Sequence, residues 1–276
     1  MTIKYIDAHC HLQFEQYEHD KDEIVARMRE EGIVGIVVGT DEESSKQATA
    51  LAEKYEHLYA AVGIHPAHVW DIGCPTSDVG HPMSKFRELA HNPKVVAIGE
   101  CGLDFFRGAD DGAKRTQKEV FKKHIILAAK LDKPLMIHVR ASKGTLDAYY
   151  DLIALLKEAK AVYPNLRGNI HFFAAGLPEA EALIALGFSI SFTAVITFAR
   201  DYDEVIRGVP LASILSETDA PYVAPASRRG ERNDPLAVAD VVRQIAEIRG
   251  EDPEIVRQTL LGNARGLFLA GNVISC

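Results

Sequence analysis

Val95-Val96-Ala97-Ile98-Gly99-Glu100 is a short apolar run that ends in a carboxylate. A run of this length and composition predicts a buried β-strand. Similar runs recur along the chain, and amphipathic helical stretches separate them, which predicts parallel βα units. The predicted strands are Lys4–Asp7, Ile33–Val38, Tyr59–Gly63, Val95–Gly99, Leu135–His138, Asn169–Phe172, Phe188–Ser191 and Ile214–Glu217.

Eight strands that alternate with helices predict an α/β fold of the (β/α)8 TIM-barrel type. The length of 276 residues and the hydrophobic content of 47% suit a single domain over residues 1–276. Two extra helices, Pro235–Arg249 and Pro253–Phe268, are predicted after the last strand, because each follows an aspartate that can cap it. The segment His68–His81 holds the one Trp and is predicted to be a loop over the C-terminal face.

Charge and cysteine usage narrow the class of protein. A net charge of -8 excludes a general basic coat for nucleic acids, but bound cations could still attract a nucleic-acid substrate. No apolar stretch is long enough to span a membrane. The sequence predicts a cytoplasmic protein and leaves its oligomeric state open, a monomer included. The four cysteines form no CxxC pair, which agrees with a reducing compartment: Cys10, Cys74, Cys101 and Cys276.

Side chains that bind metals lie at or just past the ends of five predicted strands. Taken singly, each has an ordinary explanation, such as a strand-end cap, a salt-bridged glutamate, a hydrogen-bonded core histidine or a turn aspartate. Taken together, they predict a metal site at the C-terminal face of a barrel, where such enzymes place their catalytic groups. The predicted ligands are His9, His11, Glu100, His138, His171 and Asp219.

The chain resembles the TatD-type metal-dependent deoxyribonucleases, among the amidohydrolase-like metallo-hydrolase TIM barrels. The resemblance covers nearly the whole chain, and the order and spacing of its motifs make it specific. The motifs are Ile6-Asp7-Ala8-His9-Cys10-His11-Leu12, Val62-Gly63-Ile64-His65-Pro66, Ile98-Gly99-Glu100-Cys101-Gly102-Leu103-Asp104, Ile137-His138-Val139-Arg140, Glu217-Thr218-Asp219-Ala220-Pro221-Tyr222, Arg229-Gly230-Glu231-Arg232-Asn233 and Gly262-Asn263-Ala264-Arg265.

The resemblance implies a site for two divalent metal ions, with Mg, Mn and Zn as the candidates. His9, His11 and Asp219 would hold one ion, His138 and His171 the other, and Glu100 would bridge them. Asp219, Glu100 and His65 would be catalytic. The resemblance further implies that Asp104 and Glu217 orient ligands.

The resemblance also implies residues that contact the substrate. His65 would contact a phosphate or orient a reacting group, and Arg140 and Arg229 would bind phosphates. Two departures from the family pattern concern the rim of the site: His171-Phe172-Phe173-Ala174-Ala175-Gly176 after the sixth strand, and Ala141 after Arg140. These departures affect the substrate preference more than the hydrolysis.

The implied activity is metal-dependent hydrolysis of DNA by an activated water, from the end of a strand, with single strands or strand ends as substrates. A second enzyme hypothesis is hydrolysis of an ester or amide, including aminoacyl-tRNA deacylation, because the same activated water can attack a carbonyl carbon. A third hypothesis is a non-catalytic protein with a structural metal site. Six predicted ligands argue against it, since a structural zinc site needs four.

Overall fold

The computed structural model describes residues 1–69, 83–106 and 108–270. Within these ranges, eight parallel strands form one sheet in chain order. The strands are β1 Tyr5–Cys10, β2 Ile33–Val38, β3 Leu58–Val62, β4 Val95–Asp104, β5 Leu135–Arg140, β6 Gly168–Ile170, β7 Phe188–Phe192 and β8 Ile214–Ser216. The α-helices are α1 Lys21–Glu31, α2 Glu42–Lys54, α3 Met83–Ala90, α4 Asp111–Leu131, α5 Asp147–Val162, α6 Leu177–Ala185, α7 Asp203–Gly208, α8 Val238–Arg249 and α9 Pro253–Phe268.

The sheet closes where β1 meets the end of β8. The backbone N–H of His11 donates to the carbonyl of Ala220 at 2.7 Å, and that of Asp219 donates to the carbonyl of His9 at 2.9 Å. The Asp7 carboxylate adds two bonds across the closure, because it accepts from the backbone N–H of Thr218 at 2.9 Å and from its hydroxyl at 2.6 Å. The prediction of a TIM barrel with additional C-terminal helices is confirmed.

An apolar layer and α9 fill the N-terminal end of the barrel. The second residues of six strands belong to one buried cluster: Ile6, Val34, Tyr59, Val96, Met136 and Leu215. Phe268 and Leu269, at the end of α9, pack into the same cluster. Asn263 of α9 also donates to the carbonyls of Leu211 and Ile214, at the start of β8. This helix therefore covers the end of the barrel opposite the predicted site.

β1 and β4 each contain a bulge that includes a predicted ligand, His9 in β1 and Glu100 in β4. Three steps of β1, from Asp7 to Cys10, oppose two steps of β2. Three steps of β4, from Ile98 to Cys101, likewise oppose two steps of β5. An extra residue reverses the face to which the following side chains point. As a result, Cys10 joins the outer apolar cluster, although Ile6 belongs to the inner one.

Several predicted strand ends are wrong. β1 continues past Asp7 to Cys10, and β6 ends at Ile170, short of the predicted Phe172. In addition, β4 continues past Gly99 and Glu100 to Asp104, and β5 continues past His138 to Arg140. The pairing of β4 with β5 explains the extension, because the ladder resumes after the bulge and joins Asp104 to Arg140. Both ligands therefore lie inside strands, on backbone that is fixed on either side.

Two further sequence predictions concern a loop that is largely not described and a helix that begins differently. Most of the predicted loop His68–His81 lies outside the described residues, which include only its first two positions. The C-terminal helix predicted from Pro235 begins as a short 3-10 turn, Pro235–Ala237, before α8 starts. None of the helices in the described ranges is long and apolar enough to cross a bilayer.

Candidate metal centre

Glu100 lies between two groups of histidines in the mouth of the barrel. Its Oε2 lies 3.6 Å from Nε2 of His9 and 3.9 Å from Nε2 of His11. Its Oε1 lies 3.0 Å from Nδ1 of His138 and 3.0 Å from Nε2 of His171. The two oxygens of one buried carboxylate thus face different sets of ring nitrogens.

The first ligand group consists of His9, His11, Asp219 and the Oε2 atom of Glu100. The Nε2 atoms of the two histidines lie 3.2 Å apart. Oδ1 of Asp219 lies 3.5 Å from Nε2 of His11 and 3.8 Å from Nε2 of His9. Asp219 has a φ of 53°, which is an uncommon, left-handed conformation for a residue other than glycine. The bonds from Asp7 to Thr218 hold the turn that carries it.

The surroundings of the first ligand group fix the ring of His11. Its Nδ1 lies 2.8 Å from the carbonyl of Val38 and donates to it, so Nε2 presents a lone pair to the site. The ring of Phe14 stacks on it at 4.6 Å with an interplanar angle of 5°. His9 differs, because its buried Nδ1 has no hydrogen-bond partner within the described part of the chain. Its ring instead stacks on that of His171, with centroids 3.9 Å apart.

The second ligand group consists of His138, His171 and the Oε1 atom of Glu100. Nδ1 of His138 and Nε2 of His171 lie 3.3 Å apart. A carboxylate stands behind each ring: Oδ2 of Asp104 is 3.2 Å from Nε2 of His138, and Oε1 of Glu217 is 3.4 Å from Nδ1 of His171. The geometry of the Glu217 contact makes it an ion pair rather than a good hydrogen bond. Both carboxylates direct the opposite ring nitrogens toward Glu100.

Glu217 is itself held in place by groups that the sequence analysis missed. Its Oε1 accepts from the backbone N–H of Phe172 at 2.6 Å, and its Oε2 accepts from the hydroxyl of Ser191 at 2.7 Å. The amide of Asn169 donates to the same hydroxyl at 2.7 Å. The signal for these residues is a polar side chain within an otherwise apolar strand. Asp7, which supports the turn that carries Asp219, is likewise a residue to which the sequence analysis gives no role of its own.

The donors fit a metal ion. In each ligand group, imidazole lone pairs converge on carboxylate oxygens, an arrangement that is repulsive unless a cation or protons lie between them. Ligands in tetrahedral geometry around an ion at about 2.0 Å lie about 3.3 Å from one another. The contacts of His11 with His9 and Asp219 span 3.2 to 3.5 Å, which is close to this separation.

When no cation is bound, protons on the histidines balance part of the negative charge of the carboxylates. Burial raises the pKa of Glu100, but the surrounding histidines, among which His171 has a strongly raised pKa of its own, outweigh it and hold the Glu100 pKa well below its usual value. Burial lowers the pKa of His171, but the charges of Glu100 and Glu217 raise it well above its usual value. For His9, burial and the neighbouring His171 lower the pKa. The donors therefore already attract positive charge.

His65 lies beside the second ligand group. Its Nδ1 accepts from the backbone N–H of Ala67 at 3.0 Å, which places the ring proton on Nε2. Nε2 lies 3.6 Å from Oε1 of Glu100. Burial lowers the pKa of His65 to about 3, so the ring is neutral at ordinary pH. The structure thus places a neutral N–H donor at the edge of the site.

Arg140 and Arg229 lie on the loops and strand ends around the mouth. Both are exposed. The Arg140 guanidinium lies 3.7 Å from the centroid of the Phe106 ring, and that of Arg229 lies 4.1 Å from the centroid of Phe198. The structure brings neither arginine into the ligand groups. It assembles the six predicted metal ligands with His65, Asp104 and Glu217, and it leaves the two arginines at the rim.

A closed barrel with convergent imidazole and carboxylate donors at its C-terminal mouth defines the class of protein as a metal-dependent hydrolase. The family model named "TatD related DNase" matches residues 6–269. The chain therefore belongs to the TatD family.

Individual relatives agree with this assignment. The chain is 36% identical over 265 residues to the metal-dependent hydrolase YabD of Bacillus subtilis, covering 95% of this chain and 98% of YabD. It is 34% identical over 273 residues to the 3'-5' ssDNA/RNA exonuclease TatD of Erwinia tasmaniensis, with the same coverage of 95% and 98%. The crystal structure of the TatD homologue YjjV from Escherichia coli superposes with a TM-score of 0.85 at 32% identity, covering 98% of this chain and 99% of YjjV.

Proposed function

We propose that this chain is a nuclease that uses two divalent metal ions to hydrolyse phosphodiester bonds, acting on DNA from the end of a single strand. The observation that carries the proposal is the division of the Glu100 carboxylate between two pairs of histidines. The name of the Erwinia relative, a 3'-5' ssDNA/RNA exonuclease, supports a nucleic-acid substrate. A carbonyl substrate, such as an aminoacyl ester, has no such support.

In this proposal, the first ligand group holds one ion and the second holds the other, with Glu100 between them. Bound divalent ions would lower the pKa of an attacking water and neutralise charge on the phosphoryl oxygens. Imidazole donors suit Zn or Mn, whereas carboxylates and a phosphate substrate also suit Mg. The donor set thus leaves Mg, Mn and Zn as candidates.

Four residues act on the attacking water or on the substrate. Asp219 lies in the turn after β8, and its carboxylate orients the attacking water and accepts its proton. The neutral Nε2–H of His65 donates to a phosphoryl oxygen. The exposed guanidinium groups of Arg140 and Arg229 bind phosphates further from the reacting bond. The attack is in line with the leaving oxygen.

The shape of the barrel supports attack at a strand end. Because α9 covers the opposite end, the mouth is a pit, and a strand terminus enters a pit more easily than an uninterrupted duplex does. We also propose a cytoplasmic location, which the buried free thiols of Cys10 and Cys101 support.

The test is hydrolysis of end-labelled single-stranded DNA by chelator-treated protein to which Mg, Mn or Zn is restored. The proposal expects metal-dependent shortening from one end, and no shortening by Glu100→Ala. Lys118→Ala, which changes an ion pair with Asp151 on the outer helices, serves as a control. If bound metal supports no DNA cleavage but does support cleavage of an aminoacyl ester or amide, the nuclease proposal is wrong.

A further inference from the structure

Two exposed aromatic side chains stand at the mouth of the barrel, one beside each ligand group. The Phe106 side chain follows β4 and is 43% exposed, and Tyr222 follows β8 and is 48% exposed. The backbone N–H of Phe106 donates to Oδ1 of Asp104 at 3.0 Å, and Asp104 contacts His138 of the second group. The ring of Tyr222 lies edge-on to that of His11, in the first group, with centroids 6.3 Å apart.

Each ring is attached to backbone that also positions the site. Phe106 is two residues from Asp104, and the N–H of its neighbour Phe105 donates to the carbonyl of Arg140 at 2.8 Å. The backbone N–H of Tyr222 donates to the carbonyl of Asp219 at 2.9 Å. The backbone that carries each ring is therefore fixed relative to the ligands, and the rings themselves are open to solvent.

The same rim carries cationic groups without carboxylate partners. Within the described ranges, no ion pair engages Arg140 or Arg229. Their guanidinium groups lie instead over the rings of Phe106 and Phe198. A guanidinium on an aromatic face keeps its N–H edges available for a phosphate.

Neighbouring arginines show that this is not a general feature of the loop after β8. Arg228 pairs with Asp234 at 2.8 Å, and Arg232 pairs with Asp20. Both charges are already compensated within the protein. Arg229, between them in sequence, is the cation of this trio that remains for a ligand.

From this arrangement we propose that Phe106 and Tyr222 are base-stacking residues for an unpaired polynucleotide, with Arg140 and Arg229 binding its phosphates. The proposal rests on the proposed nuclease function and adds the basis of its preference for single strands. Aromatic rings stack on any base, so the contact needs no particular sequence. Inside a duplex, each base already uses both faces for stacking and its edge for pairing, so it cannot stack on these rings without leaving the duplex. The two arginines give the rim a local positive charge that complements a polyanion, although the chain as a whole carries a net charge of -8.

The test compares two single-stranded substrates: an oligothymidylate, and the same strand with abasic residues at its terminal positions. Phe106→Ala and Tyr222→Ala should each raise KM for the oligothymidylate by roughly 5- to 150-fold, with kcat little changed. Their KM for the abasic strand should stay close to that of the unaltered protein. Phe106→Trp and Tyr222→Phe keep a ring and should restore the lower KM. Val162→Ala is the control, because Val162 is 67% exposed at the C-terminal end of α5, which lies at the end of the barrel opposite the mouth.

A binding measurement separates this proposal from the proposed function. Fluorescence anisotropy of labelled oligothymidylate with chelator-treated protein reports stacking without cleavage. Binding that depends on both rings, in a protein that cleaves no strand with any metal, would support the stacking surface and refute the nuclease. Cleavage with the same KM in both alanine variants would refute the stacking surface and leave the nuclease intact. Equal losses on the normal and abasic strands would also refute it.

Discussion

The two ligand groups share Glu100 but differ in what lies behind their histidines. In the first group, a backbone carbonyl, that of Val38, orients His11. Nδ1 of His9 has no hydrogen-bond partner in the described structure. The carboxylates that face its Nε2 atoms are Glu100 and Asp219. Glu217 also has an oxygen within 4.8 Å of a ring nitrogen of His9, but it contacts the ring of His171 more closely, at 3.4 Å.

In the second group, carboxylates stand behind both rings. Asp104 contacts His138, and Glu217 contacts His171. A carboxylate behind an imidazole makes its other nitrogen a stronger base, which strengthens the binding of cations and of protons alike. The comparison teaches that the second group should hold its metal more tightly at neutral pH and lose it sooner as the pH falls.

The largest expected effect comes from changing Glu100, the carboxylate that both ligand groups share. Glu100→Gln keeps the shape of the side chain but removes the charge that faces four histidines. We expect loss of both metal ions and a fall in activity greater than the roughly 100-fold that loss of an outer partner can cause. Metal content by mass spectrometry, measured with kcat/KM, checks this. His11→Asn is the comparison, because it should lose the ion of the first group alone, and equal metal loss in both variants would contradict the division.

Glu217→Gln changes the second group alone. Glu217 is fully buried and accepts from Phe172 and Ser191, so a glutamine would place an N–H₂ group against one of these donors. We expect metal affinity to fall by about 10- to 100-fold at the second group and to stay unchanged at the first. Competition with a fluorescent chelator measures both sites. Ser191→Ala removes one bond to the carboxylate and should have a smaller effect; a larger one would mean that Ser191 acts by another route.

The pH dependence of metal binding should also differ between the groups. Burial lowers the pKa of His138, but Asp104 and Glu100 raise it above its usual value, and the pKa of His171 is raised further by Glu100 and Glu217. In the first group, burial lowers the pKa of both histidines; Asp219 and Glu100 raise that of His11 above its usual value, whereas that of His9 stays lowered. Protons therefore compete with metal at both histidines of the second group but at only one histidine of the first. We expect the second site to lose affinity first on acidification, by up to about tenfold per pH unit for each displaced proton. Calorimetric titrations at several pH values would show this order, and earlier loss from the first site would refute it.

The smallest effect concerns a histidine outside the centre. His124 of α4 is fully buried; its Nδ1 donates to the carbonyl of Val120, and its Nε2 accepts from the N–H of Ile64. Burial lowers its pKa to about 4, below the unfolded value near 6.5. Between these values the unfolded chain binds more protons, so stability is full above pH 6.5 and falls on acidification by about 1.4 kcal/mol per pH unit.

Urea unfolding of the metal-loaded protein at pH 7.5 and pH 5.5 measures this loss. His124→Gln, which cannot take up the proton, should show a smaller difference between the two pH values. An identical difference in the variant would mean that other groups cause the acid sensitivity. The contrast with His138 and His171 separates a histidine kept neutral by burial from histidines that compete for cations.

The barrel and the assembly of its ligands could be predicted from the sequence, because apolar runs and helical stretches alternate regularly. Polar residues such as His171 and Asp219 follow those runs, and in a parallel barrel all such positions meet at one mouth. The bulges that contain His9 and Glu100 could not be predicted, because a bulge depends on the register between a strand and its neighbour in the sheet.

Supporting contacts were also beyond the sequence. Asp7 and Thr218 are far apart in the chain, and only closure of the barrel brings them together. Arg140 could be assigned to phosphate binding from the sequence, but its stacking on Phe106 could not. The two residues lie at the ends of different strands, so their contact leaves no local pattern in the sequence. The sequence therefore identified residues by chemical type, whereas their partners followed from the topology.

The helix that covers the N-terminal end of the barrel has a consequence for turnover. With Phe268 and Leu269 packed into that end, the described part of the barrel is closed opposite the mouth. A polymer cannot thread through it, so each released nucleotide must leave by the opening through which the strand entered. If the chain is the nuclease proposed above, the remaining strand must withdraw before product escapes. Cleavage should then be distributive, with inhibition by mononucleotide that is competitive with the strand.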